Sequence, residues 1–188
     1  MPATFPSHAA AVLGLKFWKP RWFDGIALTV GSAAPDFAYA VDGTWFEAPV
    51  PDWPPLYAIA HSWYGIALWG LPVTLVACWL TRRTFEQDRP DVWITTASAV
   101  IGTASHVVWD LLSPNDLASS IAGALIAVPL LALHFGRSWP KPHWPTLIAG
   151  AVALPFLPGA ALAHTTGSRI VLLTGLSLLI GRRTKTRP

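Results

Sequence analysis

Of the 188 residues, 53% are hydrophobic and 12% are charged, about half the roughly 25% charged content of a typical soluble domain. With a mean hydropathy of +0.44 and charges gathered between long apolar stretches, the composition reads as an all-α, polytopic membrane protein rather than a soluble domain. A single cysteine, Cys78, excludes an internal disulfide and a cysteine-based zinc site. The isoelectric point near 9.4 does not point to nucleic acid, because the basic residues flank apolar runs as a topology signal does.

The opening stretch, MPATFPSHAAAVLGLKFWKPRW, has no basic segment before its apolar part and no small-residue cleavage pattern, so it does not read as a removable signal peptide. A short helix is expected over 7–18, too short to cross a bilayer, which takes about 20 apolar residues. Spans are expected over 22–41, 56–80, 91–113, 118–136 and 146–164, with a shorter apolar run at 169–181. The first of these carries Asp24 and Asp36; Asp24 suits the start of a helix. Gly31, Gly65 and Gly102 suit close helix approach, and Pro72 and Pro155 suit kinks. Trp45, Trp53, Trp93, Trp139 and Trp144 fall near span ends, where an amphipathic ring fits the headgroup layer. The chain is expected to be one domain, 1–188, with its motif-bearing part in 1–115 and further spans in 116–188.

Orientation follows from lysine and arginine. With the 16–21 loop inside and about six crossings, twelve of the thirteen basic residues lie in the cytoplasm and only Arg169 lies outside. A multi-pass protein of the cytoplasmic (inner) membrane with a cytoplasmic C-terminus is the expected arrangement. His106, in SHVVWD, then lies roughly 22 Å along its span, and Asp110 one turn further out. His61, in AHSWYG, and Asp36, in GSAAPDFAYA, fall in the outer halves of two other spans. His8 would reach Asp36 if 7–18 and 22–41 form a hairpin.

Ionisable side chains in hydrocarbon cost about 2.5–3.5 kcal/mol each on insertion scales, and are normally paired, wet or functional. His106 and Asp110 share a helix face, and a bundle builds a metal site by converging such side chains from several helices. Ser62 and Ser105 flank the histidines as substrate or supporting contacts. The plainer reading is that each histidine is a packing residue, that Asp110 is solvated at a span end, and that Asn115 or Asp116 caps the next helix. His134, His143 and His164 fall near turns and suit surface or interface positions.

SHAAAV, GSAAPDF, AHSWYG and GTASHVVWD resemble, in residues 1–115, the motifs of a bacterial membrane family, the domain-of-unknown-function 4184 family. That family is similar to the YdjM-like group of predicted membrane-bound metal-dependent hydrolases. The resemblance implies a His/Asp metal site made of His8, Asp36, His61, His106 and Asp110. The chain departs from the aspartate-rich PDxD form of the YdjM-like proteins, since Phe37 and Ala38 follow Asp36.

Three functions compete. The first is a metal-dependent hydrolase acting on a lipophilic, lipid-like substrate near the outer face. It would use a divalent ion (zinc first, then manganese, iron or magnesium) held by His61, His106 and Asp110, with Asp36 as ligand or general base and His8 second for either role. No arginine or lysine is expected at site depth to clamp a phosphate. The second is a cyclase or isomerase of an isoprenoid-like metabolite, with Trp63, Trp69 and Trp109 stabilising cations beside a His/Asp acid–base pair. The third is a small transporter or ion-binding subunit, disfavoured because the inner halves of 56–80 and 91–113 are nearly devoid of charge.

Overall fold

The computed structural model describes residues 7–48, 52–85, 90–112, 117–135 and 141–185, and every regular element among them is helical. Helix α1 (Ser7–Trp18) matches the expected 7–18. Near its end Lys16 Nζ donates to the carbonyls of Pro20 (2.6 Å) and Phe23 (2.9 Å), which ties the following loop back to the helix. Helix α2 (Gly25–Ala33) starts on Asp24, whose Oδ1 accepts from the amides of Ile26 and Ala27. The expected 22–41 helix is broken: Pro35 has no N–H to continue the ladder, and the chain tightens into a 3-10 helix, Pro35–Val41.

The run 56–80 is broken as well. Helix α3 (Leu56–Ala60) ends at His61, a bend follows, and a π-helical turn (Ile66–Gly70) leads into α4 (Leu71–Phe85). Ser62 builds the bend, its Oγ donating to the Ile59 carbonyl (2.6 Å) and accepting from the Gly65 amide (3.0 Å). Gly65 lies against the carbonyls of Ile59 and Ala60, so its missing side chain serves this bend and not helix–helix approach. Pro72 sits where the π turn passes into α4, a usual place for a kink.

Helices α5 (Val92–Leu112) and α6 (Leu117–Phe135) follow the expected 91–113 and 118–136. The expected 146–164 does not: α7 (Trp144–Ala153) passes into a 3-10 turn, Leu154–Phe156, so Pro155 terminates that helix rather than kinking it. The expected 169–181 is the middle of α8 (Ala163–Lys185), a 23-residue helix. Among the described residues, one helix, Val92–Leu112, is long and apolar enough to cross a membrane. Trp45, Trp53, Trp93 and Trp144 are exposed, as expected; Asn115, Asp116, Arg137 and Trp139 lie outside the described residues.

The central seam joins α2 to α5. A Cβ on Gly31 would stand 2.8 Å from the Ala99 carbonyl oxygen, and one on Gly102 would stand 2.6 Å from that of Leu28. Only glycine at both places lets the backbones meet. Ile26, Ala27, Cys78 and Ala99 form a buried cluster beside this seam, and α1 packs on α6 through Ala9, Leu13 and Ala127. Along α5 the buried positions Thr95, Ser98, Ala99, Gly102, Thr103, His106 and Val107 make one stripe of helical period.

One end of the seam is riveted by polar groups. Asp24 Oδ2 pairs with Arg82 and accepts from Thr95 Oγ1 (2.8 Å), while the Asp24 amide donates to Ser98 Oγ (2.9 Å). Both charges are largely buried, with side chains 3% and 11% exposed. Removing one partner leaves the other charge stranded at a cost of about 3–5 kcal/mol. Thermal unfolding in mild detergent should show a large loss for Arg82→Met. The loss should be larger still for Asp24→Ala, which also uncaps α2.

Candidate metal centre

Each break in the helical chain delivers a site residue. The 3-10 segment carries Asp36, the end of α3 carries His61, and the uninterrupted α5 carries His106 and Asp110 four residues apart. Helix α1 brings His8 against His106, the two rings stacked with centroids 3.9 Å apart. The hairpin expected of α1 and α2 therefore exists, and all five residues named from the sequence converge.

Four ligand atoms stand at the corners of a closed ring. His61 Nε2 lies 3.5 Å from Asp36 Oδ1 and 3.8 Å from Asp110 Oδ2, while His106 Nε2 lies 3.7 Å from Asp36 Oδ1 and 3.4 Å from Asp110 Oδ2. Ligand atoms held at about 2.0–2.1 Å around a tetrahedral zinc ion are roughly 3.3–3.4 Å apart by that geometry. The corners thus have nearly the spacing an ion imposes. His8 adds a fifth nitrogen, with Nε2 3.9 Å from Asp110 Oδ1. Two groups, His61–His106–Asp110 and His8–Asp36–His106, each have ligand atoms within 4.8 Å of one another.

The imidazole orientations have a specific cause. The last carbonyls of an α-helix have no partner within it. The Ser32 carbonyl, freed where α2 gives way to the 3-10 segment, accepts from His106 Nδ1 (2.7 Å). The Tyr57 carbonyl, which already accepts from the His61 amide (3.0 Å), also accepts from His61 Nδ1 (2.8 Å). A backbone carbonyl can only accept, so Nδ1 carries a proton in both rings, and in the neutral imidazoles both Nε2 atoms present a lone pair to the ring of ligands. This is how metal-binding histidines are usually fixed. Among the described residues, His106 Nε2 and both ring nitrogens of His8 are buried without a hydrogen-bond partner. Buried unpaired acceptors beside two carboxylates fit a divalent cation.

The flanking residues divide. Ser62 and Ser105 give their hydroxyl protons to local carbonyls, those of Ile59 and Gly102 (2.7 Å for Ser105), so neither presents a donor to a substrate. Trp69 donates its indole N–H to the Ala34 carbonyl (2.8 Å), which pins the joint two residues before Asp36. Trp109 stands edge-on to His8, and Trp63 is exposed beside His61. His164 faces Asp42 (Nε2–Oδ2 3.5 Å) and His143 pairs with Thr146, both outside the ring of ligands; His134 lies edge-on to Phe17 at the opposite end of the bundle. Sequence reasoning missed Tyr39, whose ring lies between those of His61 (5.1 Å) and His164 (4.5 Å). Nothing in its local pattern signals this.

The chain thus gathers histidine and aspartate from four helical elements into one partly buried cluster with the donor set of a metal site. Residues 1–89 match the model of a family described as a domain of unknown function (DUF4184). The match includes His8, Asp36 and His61 but stops short of His106 and Asp110, and so is shorter than the expected 1–115. No curated protein and no solved structure matches the chain.

A buried imidazole with no hydrogen bond contributes a desolvation penalty of about 1–3 kcal/mol for each unsatisfied group. His8→Phe keeps the ring stack and removes that penalty, so with a chelator present its melting temperature should exceed that of the wild type. A fall in melting temperature would show that His8 has protein partners.

Proposed function

We propose that the chain is a polytopic protein of the cytoplasmic membrane, with its C-terminus inside. In this reading it is a metal-dependent hydrolase of a lipid-like substrate near the outer face. The observation that carries the reaction is the fixing of both imidazoles by backbone carbonyls, which turns two Nε2 lone pairs toward two carboxylates.

The membrane reading is supported by the apolar α5 and by the exposed large side chains Leu68, Val76, Val100, Leu125, Ile126 and Val152 on several helices. It is also supported by sidedness. Lys16, Arg82 and Lys141 lie toward one end of the bundle, and the ring of ligands lies toward the other. Broken helices are tolerated at membrane depth where side chains take up the freed carbonyls. At the end of α2 the His106 ring does so for Ser32. The crossings in this reading are α2 with its 3-10 extension, α3 through α4, then α5, α6, α7 with its 3-10 turn, and α8.

His61, His106 and Asp110 would hold the ion, zinc first and manganese, iron or magnesium as alternatives, with Asp36 at the fourth corner kept for proton transfer. A bound divalent ion supplies Lewis-acid polarisation of an acyl or phosphoryl oxygen and makes water acidic near neutral pH. Asp36, its Oδ1 within 3.7 Å of both imidazoles, takes the proton from the attacking water. His8, stacked on His106, excludes water from the buried side. Asp110 is one-third exposed and marks the side from which a substrate enters. Trp63, Tyr64, Leu111 and Leu112, all exposed, flank that side and suit an amphiphile held at the headgroup layer.

Metal content of the protein purified in mild detergent, read by plasma mass spectrometry, tests this. Wild type should carry one equivalent, His106→Ala and Asp110→Ala should lose it, and Asp36→Asn, whose carboxylate borders the ion, should bind it about 10–100-fold more weakly. Turnover of lipid esters or phosphates by Asp36→Asn should fall about 10²–10⁴-fold, the usual contribution of a general base. A wild type that stays metal-free after reconstitution with zinc, manganese and iron overturns the hydrolase and leaves His106 and Asp110 as an acid–base pair.

A further inference from the structure

Asp36 sits on a weak support. The segment Pro35–Val41 is a 3-10 helix of seven residues with no side-chain cap at its start, and such helices have poor hydrogen-bond geometry and rarely run this long. What holds it comes from the far end of the chain. Ser168 Oγ donates to the carbonyl of Asp36 itself (2.7 Å). Arg169 spreads its guanidinium over three separate carbonyls: Nε to Ala40 (2.8 Å), Nη2 to Asp42 (2.8 Å) and Nη1 to Pro158 (2.6 Å). Thr165 Oγ1 adds a bond to Asp42 Oδ2 (3.0 Å). Arg169 is 7% exposed.

We propose that Ser168 and Arg169 are positioning residues for Asp36, so that the first turns of α8, outside the matched residues 1–89, are a working part of the candidate metal centre. The inference rests on the hydrolase reading above. Taking a guanidinium out of water is costly, and here two of the three bonds go to Ala40 and Asp42, at the end of the segment that carries Asp36, and the third ties that end to the Pro158 turn. The planar fork of arginine reaches several acceptors at fixed angles, which a lysine ammonium on its flexible stem does not reproduce. Trp69 holds the same segment from the opposite side through the Ala34 carbonyl. With both in place the Asp36 carboxylate has one position, 3.5 Å and 3.7 Å from the two imidazole nitrogens. Arg169 is also the one basic residue that breaks the inside-positive distribution, and this task accounts for its place.

Zinc affinity by chelator competition, and the visible spectrum of the cobalt(II) form, should be measured on the full chain in detergent. The variants are Arg169→Met, Arg169→Lys, Ser168→Ala and, as control, Ser177→Ala. Ser177 lies on the same helix but bonds the His143 carbonyl at its other end. Asp36 borders the ion in the hydrolase reading, and loss of an outer group that supports a metal site costs about 10–100-fold in affinity. Arg169→Met should show that loss with an altered cobalt spectrum, Arg169→Lys should recover part of it, and Ser168→Ala should lose up to about tenfold. Ser177→Ala should match wild type. If Arg169→Met does not fold, Ser168→Ala carries the test. Wild-type affinity and spectrum in both the Ser168 and Arg169 variants would overturn this inference alone, and so would equal losses in Ser177→Ala, which would make α8 merely a structural support. A wild type that binds neither ion overturns the metal reading and this inference with it.

Discussion

The site depends on helices that stop early. A continuous α-helix consumes its own carbonyls; one that ends inside the bundle leaves several without partners. Here α2 stops inside the bundle and the imidazole of His106 takes up the Ser32 oxygen, while in α3 the Tyr57 oxygen receives both the amide and the imidazole of His61. These side-chain bonds fix Nδ1 as the donor and aim the opposite nitrogen. Were 22–41 a single regular helix, the Ser32 oxygen would bond to the amide four residues on, and the His106 ring would lose its anchor.

Helix α5 contributes in the opposite way, by being unbroken. Its stripe of small and polar residues runs from Thr95 through Gly102 to His106 and Asp110, so the side chains that lock it to α2 and those that face the ring of ligands share a single face. Packing and chemistry are coupled along that face. A shift of α5 that disturbed the contact of Gly31 with Gly102 would also move His106 away from Ser32.

Much of this was legible in residue order. The site residues were visible because histidine and aspartate are expensive in apolar runs: three runs placed Asp36, His61, His106 and Asp110 at similar depth, and a hairpin of 7–18 with 22–41 added His8. Helices α1, α5 and α6 followed from length and hydropathy alone. The breaks did not. A hydropathy window sees GSAAPDFAYA and AHSWYGIALW as apolar, and cannot tell that Pro35 ends one helix or that Ser62 and Gly65 fold a bend into the other. Trp69 read as a cation-stabilising ring because the sequence does not say which carbonyl its N–H reaches. Arg169 carried a signal, its isolation on the acidic side, but its three acceptors come from segments more than a hundred residues away and from a turn that only the folded chain brings near.

The seam between α2 and α5 also bears on how the site can be reached. It is fastened at one end by Asp24, Arg82, Thr95 and Ser98, at the middle by two glycines in backbone contact, and at the other end by His106 on Ser32. Alternating-access carriers work by rocking one group of helices against another around a central site. A pair of helices joined at three levels moves as one body, so any such rocking would have to part other helices and leave α2 and α5 together, with Ser32 and His106 keeping their places.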